Sequence, residues 1–309
     1  MSFKTIYISN PCKISVKNTN ISILQNGVEK SVCVKDVAII VIETNQASIT
    51  TPALELFSKN SIIMLSIDKY FLPTSITLPF YSHSLHSKIV HAQIELGKSL
   101  KKRIWQKIVE SKIKNQSLVL EKFLVDDVAI KLNVLAKNTL SGDSTNQEAK
   151  AARIYWSALF DDFVRIGDGA VDIRNSALNY AYAIVRSCVA RSVVGVGLSP
   201  VFGFFHRNYF NSFNLVDDLI EPFRPFVDMM VKELLDEYEE DYLTKELKAS
   251  LINILNLEIV DINGGLSSLK TAVHIFVSSV QKSILEDDLK FLVLPKVAEE
   301  ILEYEYECL

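Results

Sequence analysis

The chain has 309 residues, of which 49% are hydrophobic and 23% charged, with 10 glycines, 8 prolines and 4 cysteines. This balance excludes disordered, collagen-like and disulfide-scaffold chains and leaves room for two ordinary domains with a sizeable core. A formal net charge of -4 gives no global footprint for nucleic acid, so any such reading must rest on where the charges lie.

The opening Met1-Ser2-Phe3-Lys4-Thr5-Ile6-Tyr7 has no apolar h-region and no small-residue cleavage site, so no secretory signal is read and a cytoplasmic location is expected. From Phe3 to Leu78, short alternating runs predict strands at Lys4–Ile8, Lys13–Val16, Ile21–Leu24 and Val32–Val34. Asn26-Gly27 signals a hairpin, and the apolar run Val37–Ile42 suits a strand buried on both faces. Thr51 as N-cap with Pro52 in the first position predicts a short helix through Leu54–Phe57. Pro73 and Pro79 punctuate the end of this region, and from about Ser82 the pattern becomes helical. Helices are expected at about 84–115, 117–137, 146–161, 173–194, 214–237, 244–257, 267–283 and 290–306. The fold class expected is α+β in two domains: a small, mainly β, sandwich-like domain over 1–80, a linker over 81–88, and a large all-α catalytic domain over 89–309. The charge-free stretches Tyr70–Ser87 and Ser192–Phe205 are respectively broken by proline and too short to span a bilayer, so no membrane segment is expected. Cys12, Cys33, Cys188 and Cys308 form no CxxC pair, which suits reduced thiols rather than a cysteine zinc site.

Charge is unevenly placed. Eight basic residues between Ser82 and Gln116, among them Lys101, Lys102, Arg103 and Lys112, face only Glu95 and Glu110. Ten acidic residues between Asp228 and Asp261 face only Lys232, Lys245 and Lys248. Two solvated faces of opposite sign would produce the same pattern. All eight arginines fall within residues 103–224, which marks a region of anion contact or of internal ion pairing.

No dinucleotide fingerprint, P-loop or GxSxG elbow is present: Gly195-Val196-Gly197 is followed by Pro200 where a third glycine is required. Of the five histidines, His83 and His86 lie at the domain junction, and His274 on an apolar helix reads as a hydrogen-bonded core residue. His206 is followed by Asp218 and Glu221, whose i, i+3 spacing puts two carboxylates on one helix face, and Glu148 precedes another helical run. One imidazole with two or three carboxylates suits a Mg²⁺ or Mn²⁺ site open to phosphate oxygens, although such spacing alone is commonplace.

Three segments taken together carry a resemblance: Glu148–Trp156 (EAKAARIYW), Asn175–Ser187 (NSALNYAYAIVRS), and His206 through Asp217–Pro225 (DDLIEPFRP). In this order they resemble the CRISPR-associated integrase family Cas1, and Trp105–Val109 with Lys112–Gln116 are similar to that family's first long helix. The compact length and the EPFRP ending look most like the type II versions. The resemblance implies that Glu148, His206 and Glu221 are metal ligands for Mg²⁺ or Mn²⁺ and that Asp218 is the neighbouring acidic catalytic residue. Ala149 and Ser199 depart from frequent family choices without removing a ligand.

The implied activity is insertion of short foreign DNA into the CRISPR array, a 3′-hydroxyl attacking a phosphodiester at the leader end of a repeat. Implied partners are double-stranded prespacer and repeat DNA, a second copy in a homodimer built through the β domain, the small protein Cas2 bridging two dimers, and other type II adaptation factors. Lys101, Lys102, Arg103, Arg153, Arg186, Arg207 and Arg224 are the expected phosphate contacts. Two alternatives stay open: a structure-selective metal-dependent nuclease acting by hydrolysis, and a non-catalytic DNA-binding scaffold in which Glu148 and Glu221 only salt-bridge cations. Pro222 removes an amide directly after Glu221 and is expected to disturb the helix there, and the acidic Glu299–Glu307 stretch reads as a solvated or packed helix.

Overall fold

The computed structural model describes residues 4–67, 73–79, 83–167, 169 and 172–299. Two four-stranded sheets form first: β1 (Lys4–Ile8), β2 (Cys12–Lys17), β3 (Asn20–Gln25), β4 (Val28–Val32), β5 (Val37–Ile42), β6 (Ala47–Ile49), β7 (Ile63–Ile67) and β8 (Pro73–Thr77), with α1 (Thr51–Lys59) between β6 and β7. One sheet runs β1-β5-β7-β8, parallel except at β8, and the other runs β4-β3-β2-β6. Asn26 and Gly27 both have positive φ, as a two-residue turn between right-twisted strands needs, and they join β3 to β4. Every residue of β5 is buried. Val37, Ile40 and Ile42 face a core between the sheets with Ile14, Ile21 and Phe57, so the region is a sandwich. Ala38, Ile39 and Val41 instead join the larger core that continues through the helices.

The helical region comprises α2 (His86–Glu95), α3 (Lys98–Lys122), α4 (Asp126–Lys137), α5 (Gln147–Leu159), α6 (Ile173–Gly195), α7 (Asn214–Ile220), α8 (Arg224–Asp236), α9 (Lys245–Asn253) and α10 (Leu269–Leu285). α6 is buried on nearly all sides and starts at Asp172, whose carboxylate accepts from the Asn175 amide at 3.0 Å. Trp105, Tyr155, Tyr180, Phe223, Phe226 and Phe276 are among the largest fully buried side chains of the described residues.

Five expectations are corrected. The first long helix does not end near Gln116 but runs to Lys122 and turns at Leu124, whose φ is +59°. The polar run Asn115-Gln116-Ser117 resembles a break but is buried, its side chains finding tertiary partners such as the Ala129 carbonyl, 2.8 Å from Ser117 Oγ. The domain is not all α: β9 (Glu258–Ile262) and β10 (Gly265–Ser268) form a hairpin at Asn263-Gly264, and β11 (Lys296–Val297) adds to β9. Over 290–298 the expected helix is replaced by a short 3-10 turn, Leu289–Phe291, and extended chain into β11, because Pro295 has no amide to continue a helix; Glu299 is helical again. Residues 300–306 of that expectation, most of the acidic stretch and Cys308 lie outside the described residues. Finally, His274 is exposed on α10, not a core histidine. The expected linker also shortens, since α2 begins at His86. Among the described residues, no helix is long and apolar enough to cross a membrane.

Candidate active site

Three side chains of α3, spaced by seven and three, point the same way toward the site. Trp105 stacks flat on Phe205 with centroids 4.5 Å apart and meets the His206 ring edge-on at 5.9 Å. Lys112, almost wholly buried, places Nζ 2.6 Å from Glu148 Oε1 and 2.5 Å from Glu221 Oε2. Asn115 donates from Nδ2 to the carbonyls of Pro222 at 3.0 Å and Pro295 at 3.1 Å, while its Oδ1 accepts from Val297 at 3.2 Å.

Glu148 is delivered by the first turn of α5. Asn146 has φ of +54° and caps nothing with its side chain. Asp143 does that work instead, its two carboxylate oxygens accepting from the amides of Gln147 at 2.7 Å and Glu148 at 3.0 Å. Glu221 sits where α7 stops: Pro222 and Pro225 convert the expected continuous helix 214–237 into α7, a 3-10 turn Glu221–Phe223, and α8. Its carboxylate also receives Arg224 Nε at 2.8 Å. Burial opposes its ionisation, but the charges of Arg224 and Lys112 outweigh that and hold the Glu221 carboxyl at about 2. Burial likewise presses Lys112 toward neutrality, and Glu221 and Glu148 reverse it, so Lys112 titrates above its usual value.

His206 lies on the loop between α6 and α7. Asp218, wholly buried on α7, accepts the backbone amides of Phe204, Phe205 and His206 and lies 2.7 Å from His206 Nδ1. An ionised carboxylate only accepts, so Nδ1 carries the proton and Nε2 presents its lone pair outward. The Asp218 hydrogen bond raises the His206 pKa, and burial only partly opposes it. Close approach makes Gly203 necessary: a Cβ there would lie 2.5 Å from the His206 carbonyl and 2.8 Å from Asp218 Oδ2. Gln93 on α2 braces the preceding turn, its amide donating to the carbonyls of Ser199 and Phe202 at 3.0 Å and accepting from the Ser199 amide at 2.9 Å. Position 199 is thus held through its backbone.

The expected site residues therefore assemble as two adjoining groups, Glu148–Lys112–Glu221–Arg224 and Asp218–His206, and Glu221 contributes to the His206 shift. Among the described residues, no three His, Cys, Asp or Glu side chains already close on one point. The donor chemistry nonetheless fits a hard divalent cation, because two carboxylates already share one positive charge beside an imidazole with an outward lone pair. Behind them Tyr182 bonds to buried Asp228, and burial pushes the Asp228 carboxyl up to about 7. Arg224 also stacks over the Tyr182 ring at 4.6 Å.

The expected phosphate contacts divide. Arg186 forms a two-pronged pair with Asp217, at 2.6 and 3.1 Å, and Arg224 pairs with Glu221. Lys102, Arg103, Arg153 and Arg207 are exposed, and half-buried Lys101 is close enough to Arg207 for the two charges to repel. Lys112, Asn115, Trp105, Tyr182 and Asp228 were given no site role by sequence. For the first two, the available signal was a polar residue recurring on the inward face of a long helix.

A sequence model of the family described as "CRISPR associated protein Cas1" matches residues 6–252. A CRISPR-associated endonuclease Cas1 from Neisseria meningitidis serogroup C is 38% identical over 99% of this chain and 100% of its own length. Among solved structures, a casposase bound to its integration product superimposes with TM-score 0.76 at 20% identity, covering 99% of this chain and 95% of that one. A Cas6-RT-Cas1–Cas2 complex matches with TM-score 0.74 at 14% identity, over 96% of this chain and 36% of that one.

Proposed function

The chain belongs to the Cas1 family, and from that premise we propose that it is a metal-dependent DNA integrase and endonuclease of CRISPR adaptation, joining the 3′-end of a short DNA to a CRISPR repeat by transesterification. The observation that carries the reading is the convergence of Glu148 and Glu221 on one buried positive charge, next to a histidine oriented by a buried aspartate. Glu148, Glu221 and His206 Nε2 would hold Mg²⁺ or Mn²⁺ in place of the Lys112 contact. Such a cation supplies charge for a developing phosphorane and lowers the pKa of an attacking hydroxyl.

The remaining work belongs to the chain itself. Arg224 keeps Glu221 ionised and able to ligate. Asp218 fixes the imidazole tautomer and ties three consecutive loop amides to α7, so its role is to position His206. The exposed cations Lys102, Arg103, Arg153 and Arg207 supply phosphate contacts that set register without reading sequence. Double-stranded DNA, a second copy of the chain and Cas2 are its proposed partners; the two structural relatives, a casposase bound to its integration product and a Cas6-RT-Cas1–Cas2 complex, support the first and last.

The test is strand transfer from a labelled short duplex into a supercoiled repeat-bearing plasmid, with and without Mn²⁺ and with Cas2 supplied. Metal-dependent joining is expected for wild type and is lost in Glu221→Ala and His206→Ala. Cleavage without joining would replace the integrase with a hydrolytic nuclease, and metal-independent binding unaffected by either variant would leave only a scaffold.

A further inference from the structure

The loop between His206 and Asn214 leaves two aromatic side chains bare. Tyr209 is 102% and Phe210 98% exposed, beyond any other large hydrophobic side chain of the described residues. One exposed apolar residue is ordinary, but two adjacent large rings held in water mark a contact surface. They follow His206 by three and four residues, so their Cα atoms lie within about 11 and 14 Å of it.

The exposure is built into the loop. Asn208 Oδ1 accepts from the Phe210 amide at 2.9 Å, and Asn211 Oδ1 accepts from the Phe213 amide at 2.9 Å. Buried Asn214 closes the base of the loop, its Oδ1 accepting from the Asn208 amide at 3.1 Å and its Nδ2 donating to the carbonyls of Asn208 and Asn211 at 3.0 Å. Asn211 Nδ2 donates to Asp217 Oδ2 at 2.6 Å and so ties the loop to α7. Three asparagines thus bind the loop to itself and leave Tyr209-Phe210 as its tip.

Charge and ring faces define the partner. No Asp or Glu occurs between Ser199 and Val216, whereas Arg207 is exposed and Lys101 is near enough to repel it. The loop therefore presents aromatic surface in a positive field, which suits a polyanion built of stacked rings. Phe205 differs from the two tip residues, because one of its faces lies on Trp105, 4.5 Å away. A platform for an unpaired base needs one free face, as Phe205 has, whereas a ring inserted between two base pairs needs both. The exposure of Tyr209 and Phe210 leaves both faces of each ring open.

We infer, on the premise that DNA is the substrate at His206, that Tyr209 and Phe210 form a wedge that enters the target duplex and unstacks a base step within about four base pairs of the reacting phosphodiester. Unstacking kinks a stiff duplex, and the kink lets a phosphodiester leave its regular path and reach a site set among helices. The rings set this distortion, and affinity stays with the cations that contact phosphates.

The test uses the full-length protein with Cas2 and a repeat-bearing duplex carrying 2-aminopurine in turn at each base pair around the joined phosphodiester. Wild-type binding is expected to raise 2-aminopurine fluorescence about twofold or more at one step. The double variant Tyr209→Ala with Phe210→Ala should lose that rise and slow strand transfer about tenfold, while duplex affinity changes by less than about threefold. Its Tm should match wild type, since both side chains are exposed. Tyr209→Leu with Phe210→Leu, which keeps an apolar wedge, should restore part of the rise. Joining by wild type with no fluorescence rise at any step overturns the wedge alone. A rise without joining supports the wedge and overturns the integrase reading, and failure to bind duplex DNA overturns both. The wedge is also overturned if the alanine variant keeps the rise, if it loses affinity only for a single-stranded oligonucleotide, or if its sole change is in oligomeric state by sedimentation, which would assign the rings to unpaired strand ends or to a second copy of the chain.

Discussion

Lys112 holds two buried or half-buried carboxylates that would otherwise repel each other, and removing one partner of a buried ion network is far costlier than its surface equivalent. Lys112→Met is therefore expected to destabilise the metal-free protein by about 3–5 kcal/mol in urea unfolding. Added Mn²⁺ should restore much of that loss, since a divalent cation can take the same two carboxylates; no recovery would separate Lys112 from the proposed metal site. Asp228 gives the residue-scale pH dependence. Its carboxyl is raised from an ordinary 3.8 to about 7, chiefly by burial, with Tyr182, Tyr155 and Arg224 opposing. A carboxyl raised on folding adds stability below its unfolded pKa and loses that contribution as pH rises through the folded value. Wild-type stability should thus fall between about pH 4 and pH 7, by roughly 4 kcal/mol at most. Asp228→Asn should flatten that slope, and an unchanged slope in urea midpoints across this range would remove Asp228 as its source.

At the scale of elements, the site depends on where helices stop. Pro222 and Pro225 interrupt the chain between α7 and α8, and the carbonyl freed at Pro222 is taken up by Asn115. Asn115→Ala leaves the Pro222 carbonyl and the Val297 amide short of a partner, while the Pro295 carbonyl keeps Ser111 Oγ, which should cost on the order of 3 kcal/mol by equilibrium unfolding. The loop carrying His206 is set by Asp218 from one side and Trp105 from the other. Because a Cβ at Gly203 would collide with two of the atoms that define this loop, Gly203→Ala is expected to reduce strand transfer at least tenfold. The global fold should survive, as judged by an unchanged far-ultraviolet spectrum; full activity in this variant would show that the loop tolerates displacement.

Over the whole molecule, the exposed cations lie around the His206 loop, the start of α3 and the outer face of α5, whereas Glu239, Glu240 and Asp241 lie exposed beyond α8. Binding to duplex DNA through phosphates releases counterions, so affinity should fall steeply with salt. Replacing Lys102, Arg103, Arg153 and Arg207 by glutamine should reduce the slope of log K against log salt by about 3 to 4. Replacing Arg186, which is bound to Asp217, should change stability more than that slope. Equal slopes for wild type and the quadruple variant would place the DNA on another surface.

Period and punctuation made the sandwich legible, since β5, the Asn26-Gly27 turn and α1 follow from local rules whose partners are close in sequence. Glu148, His206, Asp218 and Glu221 were named as candidates from residue type and from the order of three motifs. Sequence reading stopped where a residue's meaning depends on a distant partner. Asn115-Gln116-Ser117 looked like a helix break because local polarity cannot reveal that the Ala129, Pro222 and Pro295 carbonyls wait to accept from Asn115 and Ser117. The Asn263-Gly264 hairpin was within reach, carrying the same dipeptide as the first turn, but the short strands beside it read as a gap between helices. Composition and periodicity determined the two-part architecture, and the order of the motifs named the candidate site residues. Only the tertiary structure decided that Lys112 joins Glu148 to Glu221 and that His274 faces a cavity, because both depend on side chains meeting across elements far apart in the chain.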